Sequence, residues 1–194
     1  MRRVKRILLA KGGLDGHMRG PEKLAIFFRD AGFEVIYLGM YQAPEAIAQA
    51  AFQEDVDVIG VSMHSGGHRG VFRRLFELLA TSNEEWMVVA GGIFPLKDHE
   101  MLRGLGVRHI FLPASSIQDD IIPTLKNIEL PERNEGAENI FSDLKRGNMR
   151  ALAKLITLIS SGDAEAANIV LSRPTDIASH VVGFTGAGGV GGTS

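Results

Sequence analysis

Arg6-Ile-Leu-Leu-Ala10-Lys11-Gly-Gly-Leu-Asp15-Gly-His17-Met-Arg-Gly20-Pro21 carries the chain from an apolar strand into an amphipathic helix. Such a junction lies at the carboxyl end of a strand, where open α/β sheets bind their ligands. Read as a loop over 11–20, it is longer than the about 2 to 6 residues usual for such connections, which asks for a functional reason. It holds an imidazole, His17, with a carboxylate two residues before it, Asp15, and a lysine four residues earlier again, Lys11. A neutral imidazole binds a transition metal through one nitrogen while the other donates to a carboxylate, so these residues form a candidate metal-ligand relay. The same residues also read as a turn in which Asp15 caps the backbone and His17 is an ordinary loop side chain.

Working outward, short apolar runs at 6–10, 33–38, 56–61, 86–90 and 108–112 alternate with segments of helical period. Pro21 and Pro44 mark helix starts. Leu24, Phe27, Phe28 and Ala31 share one face before Gly32 ends the first helix, and Val71, Leu75 and Leu78 form a stripe on the third. This alternation predicts a flavodoxin-like (Rossmann-like) α/β domain over 1–128: a five-stranded parallel sheet with helices on both faces. Residues 129–142 read as a linker, 143–179 as a helical lead-in, and 180–194 as a strand followed by a glycine-rich loop.

Composition narrows the function. The 194 residues are 45% hydrophobic and 23% charged with a formal charge of −2, so no basic surface for nucleic acid is expected. Cysteine is absent, which removes disulfides and thiolate metal sites. No apolar run reaches membrane-spanning length and the N-terminus lacks a signal-peptide core, so a cytoplasmic protein without membrane contact is expected. Small and polar residues collect at the predicted strand ends: Ser62, His64, Ser65 and Gly66 after the third, Gly91 and Gly92 after the fourth, Ser115 and Ser116 after the fifth. In a flavodoxin-like order the switch point falls between the first and third strands, so these loops face one crevice suited to a large planar ligand with a polar tail.

Lys11-x-x-x-Asp15-x-His17-x-x-Gly20, with Ser62 and Gly91-Gly92 at two further strand ends, resembles the cobalamin-binding domain of methylmalonyl-CoA mutase and its relatives over most of 4–127. Four fixed residues at about 5% each over ~200 windows recur by chance about once in a thousand chains. The resemblance implies that His17 displaces the cofactor's own dimethylbenzimidazole and coordinates cobalt from below, with Asp15 and Lys11 behind it. Gly16 and Arg19 would contact the cofactor beside the histidine. The nucleotide tail would run into a slot lined by Gly20, Ser62, Gly91 and Gly92, with Ser62 bonding the buried base, and His64, Ser65 and Ser115 completing the cofactor contacts. It implies adenosylcobalamin, with its cobalt, as cofactor. A mutase large subunit bearing the substrate barrel would be the partner, and radical isomerisation of an acyl-CoA the reaction, with no catalytic residue on this chain alone. The chain departs from the family at Met18, at Met63-His64 after Ser62, and at Leu112-Pro113-Ala114-Ser115, where the family has a glycine-rich segment.

Gly186-Ala-Gly-Gly-Val-Gly-Gly192-Thr193 follows the phosphate-loop pattern except that Gly192 replaces the lysine, so no nucleotide hydrolysis is expected there. With the helical lead-in it resembles the opening of the G-protein chaperones of these mutases, which implies a chaperone domain or partner. A cobalamin-delivery module and a corrinoid protein for methyl transfer are the alternatives. A phosphoacceptor receiver of the same fold lacks its clustered acids here. His64 and His68 stand four apart, but with no carboxylate cluster nearby they read as structural rather than as a zinc site.

Overall fold

A computed structural model describes residues 4–13, 19–64, 66–82, 85–130, 137–145, 149–160 and 162–172. Strands β1 (Arg6–Gly12), β2 (Glu34–Gln42), β3 (Val58–Met63), β4 (Met87–Gly92) and β5 (Val107–Phe111) form one sheet in the order β2-β1-β3-β4-β5, every neighbouring pair parallel. This is the flavodoxin-like order, with its reversal at β1 and β3. Helices α1 (Arg19–Asp30), α2 (Pro44–Gln53), α3 (His68–Leu79) and α4 (Leu96–Leu105) make the crossovers, and α5 (Ile122–Asn127) follows β5 through a π-helical turn at Ile117–Ile121.

The two-residue alternation of the strands divides the core. Leu8, Ala10, Ile59, Val61, Val88 and Ala90 pack with Ile47 and Ala51 of α2, Phe72 and Leu75 of α3 and Leu102 of α4. Ile7, Val58, Met87 and Val89 point the other way, onto Phe28 of α1 and Leu125 of α5. The inner strands β1, β3 and β4 are buried on both faces and are nearly continuous apolar runs, as a parallel sheet demands, whereas the edge strands β2 and β5 are only partly covered. Lys5 ties the last turn of α5 to the sheet, its Nζ donating to the carbonyls of Leu125 (3.0 Å), Lys126 (2.8 Å) and Ile128 (2.8 Å).

Helices α6 (Ala137–Lys145), α7 (Met149–Ser160) and α8 (Ala164–Leu171) enclose their own small core of Ile140, Ala151, Leu155, Ala166 and Ile169. Asp163 caps α8 by accepting from the Ala166 N–H at 3.0 Å. Helix α7 rests on α2. Arg6 bridges the two parts, donating to the Glu54 carbonyl and, at 3.3 Å, to Thr157 Oγ1. Among the described residues no helix is long and apolar enough to cross a membrane.

Three expectations are corrected. Lys11 and Gly12 continue β1 because they still pair with Ser62 and Gln42, and α1 opens at Arg19. The connection is therefore 13–18, of ordinary length, and its functional reading cannot rest on unusual length. Helix α6 begins at Ala137, inside the stretch read as linker, its apolar Ile140 and Phe141 being held by the small helical core. The buried stripe of α3 is His68, Phe72, Leu75 and Leu79; Val71 and Leu78 only flank it.

Candidate functional site

Register turns scattered residues into a row. Lys11 pairs with Ser62, Ser62 with Gly91, and Gly91 with Phe111, so the four lie side by side across β1, β3, β4 and β5 at the carboxyl edge of the sheet. By strand alternation they share the face of Ile7, Val58 and Val89, the one covered by α1 and α5. Lys11 is wholly buried and Ser62 nearly so. Behind the row, between sheet and helices, is an apolar cavity of about 40 Å³ lined by Leu9, Leu24, Phe28, Val89, Leu125 and others, with Ser62, Gly91 and Phe111 at its upper end. A methyl group built on Gly91 meets no atom within 4 Å. A greasy slot with one hydroxyl and a bare backbone beside it suits a mostly apolar group carrying a hydrogen-bonding atom. Its present volume is of the order of one or two waters, so a larger guest requires Leu24 and Phe28 of α1 to give way.

Gly92, one residue on, has a different reason to be glycine. Its φ is +138°, and a Cβ there would sit 1.8 Å from the Met63 carbonyl oxygen. The close approach latches β4 to β3, and the Ile93 N–H donates to that same oxygen at 3.2 Å. An ionic cluster of buried His68 and Asp98 with exposed Arg69 ties the following turns together. His68 Nε2 lies 2.9 Å from Asp98 Oδ2, Arg69 donates to Oδ1, and Phe94 meets the imidazole edge-on with centroids 5.4 Å apart. Arg69, and after it His68, hold the Asp98 carboxyl below the usual carboxylate range, against the opposing effect of burial. Sequence reading sought carboxylates near His68 and missed Asp98, which is 30 residues away.

Of the residues singled out in the sequence, Lys11, Ser62 and Gly91 are thus brought together. Ser62 and Gly91 line the slot; Gly92 faces Met63, and Gly20 is exposed in the first turn of α1. His64 is half-buried just past β3. Ser115 closes the turn after β5, its Oγ accepting from the Leu112 N–H at 3.1 Å. Asp15, Gly16, His17 and Ser65 lie outside the described residues, as do the Arg19 side chain and the glycine-rich 186–193. Among the described residues no three His, Asp or Glu side chains form a metal-holding group.

The end of β2 carries a feature the sequence did not announce. Leu9 pairs with Tyr37 but Ala10 with Gly39, and Gly12 with Gln42, so Met40 and Tyr41 together oppose Lys11. Tyr41 adopts φ +58° with its side chain exposed. Gln42 braces the bulge by donating from Nε2 to the carbonyls of Leu38 (2.9 Å) and Met40 (2.7 Å), and its own carbonyl accepts from the Gly13 N–H at 3.0 Å.

Residues 5–122 match the B12 binding domain. The chain is 47% identical over 120 residues to the 2-hydroxyisobutanoyl-CoA mutase small subunit of Aquincola tertiaricarbonis, a stretch covering 60% of this chain and 88% of that one. It is 39% identical over 130 residues to methylmalonyl-CoA mutase of Rhizobium meliloti (strain 1021), covering 66% of this chain but only 18% of that enzyme. Among solved structures, a cobalamin-binding protein from Desulfitobacterium hafniense DCB-2 shares the fold with a TM-score of 0.54 at 18% identity, over 63% of this chain and 57% of that one. With the match covering most of the chain and the slot and strand-edge row in place, the chain belongs to the B12 binding domain family.

Proposed function

We propose that this chain is the adenosylcobalamin-holding small subunit or domain of an acyl-CoA mutase. The observation that carries the reading is the row Lys11–Ser62–Gly91, whose Ser62 and Gly91 line the apolar slot between the sheet and α1 and α5. Further support comes from the similarity to a mutase small subunit over 88% of its length. In this reading His17, five residues after Gly12 in the sequence, is the lower cobalt ligand. Asp15 accepts from its second ring nitrogen, and Lys11, buried at the root of the loop, balances the carboxylate's charge. Ser62 bonds the base of the nucleotide tail, and Gly91 leaves room for it. When bound, the cofactor supplies a carbon radical by homolysis of its cobalt–carbon bond. The chain's own residues hold it base-off, orient it and shield its lower face. The substrate would sit on a partner subunit with the acyl-CoA barrel.

The test is an absorbance titration of the full chain with adenosylcobalamin. The wild-type protein should give a base-off, histidine-ligated spectrum, and His17→Ala should restore the base-on spectrum or lose binding. A His17→Ala spectrum identical to wild type refutes the ligand assignment.

A further inference from the structure

Tyr41 is the residue whose conformation the fold does not otherwise explain. A bulky side chain at positive φ is a backbone outlier that persists only where its surroundings over-determine it, and such outliers gather at ligand sites. Here the surroundings are visible: two residues of β2 oppose Lys11, and Gln42 braces the bulge through the carbonyls of Leu38 and Met40. Bulges beside sites re-aim a side chain. This one leaves Tyr41 58% exposed at the carboxyl edge of the sheet. The carbonyl of its neighbour Gln42 accepts from the N–H of Gly13, which precedes Asp15 by two residues in the sequence and His17 by four.

Tyr41 also has counterparts across the edge. Among the described residues, Ile93 (61%), Leu96 (81%) and Leu112 (43%), after β4 and β5, are the other large apolar side chains left exposed at this end of the sheet. Together they frame the Lys11–Ser62–Gly91 row on both flanks. From β2 to β4 is three strand spacings, about 14 Å, too wide for a small acyl group and on the scale of a macrocycle with its peripheral side chains.

We propose that Tyr41 is a contact residue for the corrin ring, held in a strained bulge so that its phenol borders the β2 side of the macrocycle. This rests on the cobalamin reading above and adds to it a residue and a direction. A strained contact residue has a signature that a packing residue lacks, because relieving the strain and losing the contact move two measurements in opposite directions.

The experiment uses the full chain and aquocobalamin, with the dissociation constant read by absorbance and the unfolding midpoint of the cobalamin-free protein read by circular dichroism. Tyr41→Gly should bind at least about 10-fold more weakly while its midpoint holds or rises by about 2–4 °C. Tyr41→Phe, which keeps the ring and the strain, should stay within about threefold of wild type in affinity. Equal affinity of wild type and Tyr41→Gly overturns the proposal and leaves the cobalamin reading standing. Weaker binding by Tyr41→Gly accompanied by a lowered midpoint also overturns it, since the tyrosine then serves packing. Failure of the wild-type chain to bind aquocobalamin overturns the parent reading and this one with it.

Discussion

Two adjacent glycines permit a sharp test of the slot. Gly91→Ala adds one methyl group at the mouth of the cavity, where no atom lies within 4 Å and no positive φ is required. The fold should accept it: glycine inside a strand costs roughly 0.5–1 kcal/mol relative to alanine, so the midpoint should rise by about 1–4 °C. The guest should not. One methylene of misfit in an apolar pocket is worth about 1–3 kcal/mol, or roughly 10- to 200-fold. Cobalamin should therefore bind about 10- to 200-fold more weakly, whereas cobinamide, which has no nucleotide tail, should be unaffected. Gly92→Ala is the contrasting change. Its Cβ would collide with the Met63 oxygen at 1.8 Å and displace the acceptor of the Ile93 N–H. Backbone strain of about 1–3 kcal/mol and a lost hydrogen bond of about 1–2 kcal/mol sum to about 2–5 kcal/mol, a midpoint lower by about 4–20 °C. Affinity and midpoint would be measured on both variants with both corrinoids. If Gly91→Ala weakens cobalamin and cobinamide alike, or neither, the slot does not receive the tail and the reasoning is refuted.

Other expectations follow from the same contacts. Asp98 has its pKa lowered in the fold, so its contribution is complete above the unfolded value of about 3.9 and is lost as pH falls through the lower folded value. Asp98→Asn should be less stable than wild type near neutrality, and the gap should narrow as pH falls below the unfolded value and through the lower folded one, as midpoints measured across an acid titration would show; a gap independent of pH contradicts this. Leu155→Ala removes a side chain only 4% exposed from the α6–α8 core, which is separate from the two cores of the sheet. It should destabilise those helices by about 2–5 kcal/mol and leave cobalamin affinity within about twofold, read by hydrogen exchange and absorbance titration. A loss of affinity would couple the helical unit to the cofactor edge.

Legibility followed the range of the interactions. The inner strands β1, β3 and β4 were readable because burial on both faces writes each as an apolar run, and the edge strands β2 and β5 because Val35-Ile36-Tyr37 and Ile110-Phe111 favour a strand. Lys11, Ser62 and Gly91 were readable as strand-end residues through their motif. Their placement in one row was not, because register depends on pairing between strands far apart in sequence. The loop was overestimated because lysine and glycine look like loop residues, yet a buried lysine continues β1. The linker was overestimated because α6 is helical through contacts with α7 and α8 that no local signal reports.

By itself, then, the sequence determined the alternation of strand and helix, the carboxyl-edge location of the polar residues, and the family to which the motif points. These depend on periodicity and short spacing, which the chain carries locally. Only the tertiary structure decided that Gly91 borders open space while Gly92 touches a backbone oxygen, that His68 has Asp98 as its partner, and that a bulge lifts Tyr41 into solvent. Each of those depends on distances between segments that meet only after the sheet has closed its register, and no linear pattern encodes them.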